Sequence, residues 1–74
     1  MQLFIELSNL KTLVIDINEY DTIYYLKEKI ETIVNIPIKY QNILSRSCIY
    51  LNNNKLISDY NIKKETTLIL KLKN

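Results

Sequence analysis

Residues able to do covalent chemistry are few in this chain, and they are scattered. Cys48 is the only cysteine and there is no histidine, so a His-based triad and a His-based metal site are both excluded. Cys48 has no base near it in sequence. Its place in a short apolar run, Cys48 to Leu51, reads as packing rather than as a nucleophile. The acidic residues Glu6, Asp16, Glu19, Asp21, Glu28, Glu31, Asp59 and Glu65 form no evident pair for general acid–base work. Glycine is absent, which removes phosphate-cradling and dinucleotide-binding loops. No enzyme and no cofactor is expected. The residue types describe something that is bound, not something that catalyses.

The elements that would position a binding surface are legible in the hydrophobic spacing. Seventy-four residues form one domain, 1–74, with little surface to spare for burial. With no disulfide or metal to staple it, a dense aliphatic core must hold the fold; a hydrophobic share of 47% supplies one. "MQLFIEL" alternates, with Leu3, Ile5 and Leu7 on one face. "TLVIDI" alternates with Leu13, Ile15 and Ile17 inward. Ser8 to Lys11 joins the two strands as a hairpin loop, and Asn9 is the residue there best suited to a positive φ. Thr22 is the N-cap of a helix whose apolar stripe is Ile23, Leu26, Ile30, Ile33 and Val34, with Lys27, Glu28, Lys29 and Glu31 on the other side. Asn35 is placed to end it in a left-handed cap, ahead of Pro37. Residues 40 to 45 predict a third strand, with Ile43 and Leu44 on opposite faces. Cys48 to Leu51 is a candidate fourth. Ser58 to Ile62 reads as a fixed turn, and Thr66 to Leu72 as a last strand with Leu68, Leu70 and Leu72 inward. The fold class is α+β: a mixed sheet of four to five strands with one helix across its apolar face.

Charge adds little. Ten Lys and Arg against eight Asp and Glu give +2, too weak for nucleic acid. No run is long enough to span a membrane. The excess of Asn, Ile, Lys and Tyr is read as AT-biased coding.

In order along the chain, "MQLFIEL", "LKTLVIDI", "DTIYYLKEKI", "NIPIKYQ" and "LISDYNIKKETTLILKL" resemble the ubiquitin family over essentially the whole length, with one extra residue within Ser45 to Leu51. The resemblance implies the β-grasp fold. It also implies a recognition patch at Ser8, Leu44, Ile69 and Lys71, and a second at Ile36 and Leu72. Polar Ser8 and Lys71 stand where the family is apolar, so ordinary readers of the family are expected to bind poorly. Chain-linkage lysines map onto Lys11, Lys27, Lys29 and Lys64. Family glycine positions are held by Leu10, Asn35, Cys48 and Asn54, and at Leu10 a rearranged loop is expected. The tail, Lys73 and Asn74, lacks the Gly-Gly that conjugation in this family uses.

The function that follows is non-covalent binding to proteins of the ubiquitin pathway (binding domains, ligases or deubiquitinases) by a chain that is not conjugated as given. The alternatives are a modifier whose Gly-Gly extension is missing from this chain, or a docking domain of a larger protein. A monomer in the cytoplasm, with the nucleus also open to it, is expected; in a viral or parasitic source this is the host cell's cytoplasm.

Overall fold

The computed structural model describes residues 1–73. Strands β1 (Gln2–Glu6) and β2 (Thr12–Asp16) form a hairpin, followed by helix α1 (Ile23–Val34). A short 3₁₀ turn, Ile38–Tyr40, leads into β3 (Gln41–Leu44). A second 3₁₀ turn, Ile57–Tyr60, precedes β4 (Thr67–Leu72). The sheet order is β2-β1-β4-β3. β4 lies parallel to β1, with Ile5 beside Leu68, and antiparallel to β3, with Ile43 beside Leu70.

The alternation of each strand sends Leu3, Ile5, Ile15, Ile43, Leu68 and Leu70 under the sheet, where they meet Ile23, Leu26 and Ile30 of α1. Leu51, Ile57 and Ile62 close the end of this core. Each buried aliphatic side chain contributes about 1.5–3 kcal/mol, and no other staple is present. Thr22 caps α1 by accepting the Tyr25 N–H (3.1 Å), and Asn35 ends it at φ 58°, ψ 32°. The turn at Ser58–Ile62 is held by the Asp59 carboxylate, which accepts the Leu56 N–H (2.8 Å), and by the Tyr60 hydroxyl, which accepts the Asn52 N–H (2.8 Å). Asn61 leaves it in the left-handed region, a conformation asparagine tolerates.

Several expectations are corrected. Ile33 is not part of the buried stripe; it is exposed, and Lys27 takes a buried place instead. Cys48–Leu51 is not a strand. It makes only an isolated bridge, Tyr50 to Leu44, and Cys48 is exposed rather than packed. Leu10, not Asn9, takes the positive φ in the first hairpin, at 68°. The loop therefore keeps a glycine's conformation without the glycine, while the Asn9 side chain accepts the Lys11 N–H (3.2 Å). Cys48 does the same at φ 65°. Asn54, the fourth glycine position, is not among the positive-φ residues, whereas Glu65 is.

The two loops have one hydrogen-bond pattern. In the first, Leu7 N–H donates to Lys11 O (2.8 Å) and Leu10 N–H to Leu7 O (3.1 Å). In the second, Ser45 N–H donates to Ile49 O and Cys48 N–H to Ser45 O, both at 2.9 Å. Each is a three-residue hairpin loop whose last residue must be left-handed.

Candidate functional site

The sheet has one face under the helix and one face to solvent. Alternation puts Glu6 of β1, Ile69 of β4 and Leu44 of β3 side by side on the solvent face. One step along, Lys71 lies beside Asn42. Four sequence-predicted residues thus fall on or near one surface, but not as an open apolar patch. Ser8 and Lys71 are exposed and Ile69 is half-buried. Leu44, expected as the exposed centre, is only 4% exposed.

The segment after β3 lies against Leu44, which Tyr50 bridges, and the same face carries an ion pair that residue spacing does not predict. Arg46 follows β3, and its Nη2 lies 3.5 Å from Glu6 Oε2 on β1. β4, carrying Ile69, lies between them in the sheet. The Arg46 side chain therefore reaches across β4 to β1 on this face. The available signal was Glu6 on the outward phase of β1 and Arg46, the single arginine, just beyond β3. Neither residue alone predicts the pairing.

Beside this face is an open apolar groove of about 130 Å³ lined by Leu7, Ser8, Asn9, Ile36, Leu70 and Leu72. It joins Ser8 to both residues of the second expected patch. Leu72 is 53% exposed at its rim, and Leu10, in the adjoining loop, is 89% exposed. β4 remains in the sheet to Leu72, and Lys73 N–H still donates to Tyr40 O (2.8 Å). Asn74 lies outside the described residues.

The chain matches the family model "Ubiquitin family" over residues 3–74. This chain belongs to the ubiquitin family. The four-stranded mixed sheet with one helix is the β-grasp arrangement of ubiquitin-like proteins. The ubiquitin family comprises protein modifiers and modifier-like domains, not enzymes, and ubiquitin-like domains interact with other proteins.

Its ubiquitin-like lysines are unequal. Lys11 and Lys64 are exposed. Lys29 Nζ donates to Asp16 O (2.6 Å) and stands 5.3 Å from the Tyr25 ring centroid, a cation–π contact. Lys27 is 5% exposed and lies on the core side of α1, so the expectation of a linkage lysine there is not met by an accessible amine. Burial, and then the Lys73 ammonium, hold its pKa below the usual lysine value. Among the described residues no carboxylate lies within ion-pair distance of it. Its backbone carbonyl accepts from Gln41 Nε2 (3.1 Å), which also donates to Ile36 O (2.9 Å) and so ties α1 to the loop that shapes the groove.

No group of acidic, His or Cys residues among the described residues could hold a metal ion. A larger recess, about 420 Å³, is polar and open, and at its wall the Met1 ammonium lies 3.4 Å from Asp16.

Proposed function

We propose that this ubiquitin-like domain acts by binding proteins of the ubiquitin pathway non-covalently, and that the groove of Leu7, Ser8, Ile36, Leu70 and Leu72 makes the primary contact. The observation that carries this reading is the contrast between two surfaces. The Leu44–Ile69 row is low in exposed apolar area and spanned by an ion pair, whereas the groove is concave, apolar and open. Filling it would bury Leu72 and the exposed part of Ile36, each worth up to about 1.5–3 kcal/mol if covered completely. Ile69 and Lys71, on the neighbouring face, form a secondary contact. Such partners work in the cytoplasm and nucleus, and the domain is placed there in this reading.

The test is a titration of the isotopically labelled chain with a panel of ubiquitin-binding domains, ligases and deubiquitinases, followed by NMR. Shifts should concentrate at Ser8, Ile36 and Leu72. Leu72→Ser should weaken binding about tenfold or more, since each tenfold corresponds to about 1.4 kcal/mol. Unchanged affinity in that variant would discard the groove; silence across the panel would discard the function.

A further inference from the structure

The two edges of the sheet are treated differently. The β3 edge is covered by the following segment: Leu51 N–H donates to Ile43 O (2.9 Å), and Tyr50 bridges Leu44. The β2 edge has no such cover among the described residues. Met1 and Ile17 exchange both backbone bonds across the β1–β2 hairpin, and Leu7 N–H donates to Lys11 O at its other end. In an antiparallel pair, bonded and non-bonded residues alternate. Thr12, Val14 and Asp16 therefore direct their N–H and C=O groups away from β1, along the free edge. Among the described residues, Asp16 O is the one of these groups engaged, by Lys29 Nζ at 2.6 Å. A carbonyl oxygen has two lone pairs and can accept a second donor.

Natural sheets guard such an edge with proline, a bulge, an inward charge or a covering loop. β2, "TLVID", has no proline, bulge or inward charge; its charges are confined to one end, where Asp16 is exposed and Lys29 caps the Asp16 carbonyl. Its middle is apolar instead. Val14 is 54% exposed on the outer face, directly beside half-buried Phe4. Ile33, 53% exposed, lies on the helix side of a cleft of about 280 Å³ that runs along this edge.

We propose that β2 is a self-pairing edge: a second copy of this chain docks on it antiparallel, about a two-fold axis at Val14. The strand is self-complementary in that register. Val14 meets its own symmetry mate and exchanges both backbone bonds with it. Thr12 meets Asp16 of the other copy, so that both free edges are satisfied along their length. On the outer face the Thr12 hydroxyl faces the exposed Asp16 carboxylate, twice, on either side of a Phe4–Val14–Val14–Phe4 row. On the inner face the two helices bring Ile33 toward its mate below the joined strands. A foreign strand would need a carboxylate and a hydroxyl at the right two positions to do as well; a second copy has them by symmetry. The contact is a five-residue strand pair, at the small end of specific interfaces, so weak, concentration-dependent association is expected.

The experiment uses the full chain in sedimentation equilibrium and amide hydrogen exchange from about 0.02 to 2 mM, a range in which weak association is read. Exchange at Thr12, Val14 and Asp16 should slow as concentration rises, while Leu13 and Ile15, already bonded to β1, should not change. Val14→Pro removes only an edge N–H that faces outward, a place where proline is tolerated, and should abolish the dimer with the circular dichroism spectrum retained. Should that variant not fold, Val14→Lys tests the same edge by charge. A chain monomeric at 2 mM overturns the proposal. So does a dimer that Val14→Lys leaves intact, or one whose Thr12 and Val14 amides exchange freely.

Discussion

Arg46 Nη2 and Glu6 Oε2 stand 3.5 Å apart across the strand that carries Ile69, so the solvent face of the sheet is spanned by its own ion pair. The guanidinium side chain is 69% exposed and the carboxylate 41%. Pairs this exposed are screened and contribute at most about 0–1 kcal/mol. Arg46→Ala should therefore leave the denaturation midpoint nearly unchanged. It should, however, remove the span across β4, and any partner that uses this face should bind the variant more tightly than the parent. Weaker or equal binding would mean that Arg46 belongs to the contact itself or lies clear of it.

Leu10 and Cys48 are strained by the same geometry. A residue with a Cβ in the left-handed region costs roughly 1–2 kcal/mol, and glycine returns part of that gain as lost chain entropy. Leu10→Gly and Cys48→Gly should each raise stability by about 0.5–1 kcal/mol in urea denaturation. Their effects should add, because each loop closes its own hairpin. Destabilisation by either glycine would show that the side chain makes contacts worth more than the strain.

Lys27 makes stability depend on alkaline pH. Its folded pKa is lowered by burial and then by Lys73, so between the folded and unfolded values the unfolded chain binds more protons. Stability must then rise with pH through that window, which lies below the ordinary lysine value. Lys27→Met should flatten this rise and should also stabilise the protein at neutral pH, since no charge remains to be buried. Paired denaturation curves for parent and variant at neutral and alkaline pH check this.

Burial also ranks the lysines by reactivity. With an amine-acylating reagent and peptide mass spectrometry, Lys11 and Lys64 should label fastest, Lys29 more slowly, and Lys27 last. Rapid labelling at Lys27 would show that its end of α1 opens in solution.

The strands and the helix were readable because periodicity reports burial directly: Leu3, Ile5, Ile15, Leu68 and Leu70 all lie where alternation placed them. Thr22 and Asn35 were readable because capping is local chemistry. Positive φ was less so. Asn9 has the better intrinsic preference, yet the position that must be left-handed is set by hairpin closure, and Leu10 occupies it. Lys27 departed from its helical stripe because a long aliphatic stem can lie on the core, which a binary pattern does not record. The candidate site was half legible. Ile36 and Leu72 do line one groove, but the Arg46 span across β4 depends on a distance no spacing contains.

The parallel pairing of β1 with β4 sets a condition on how the protein can be made. The two central strands of the sheet are the first and the last of the described chain, Gln2–Glu6 and Thr67–Leu72. During synthesis the β1–β2 hairpin and α1 can form early from local contacts, but their apolar faces have no centre to close upon until β4 arrives. A nascent chain halted before Thr67 therefore presents an unfinished, sticky half-sheet. Folding is gated by the arrival of β4, and truncation before Thr67 yields a substrate for chaperones and proteases rather than a smaller domain.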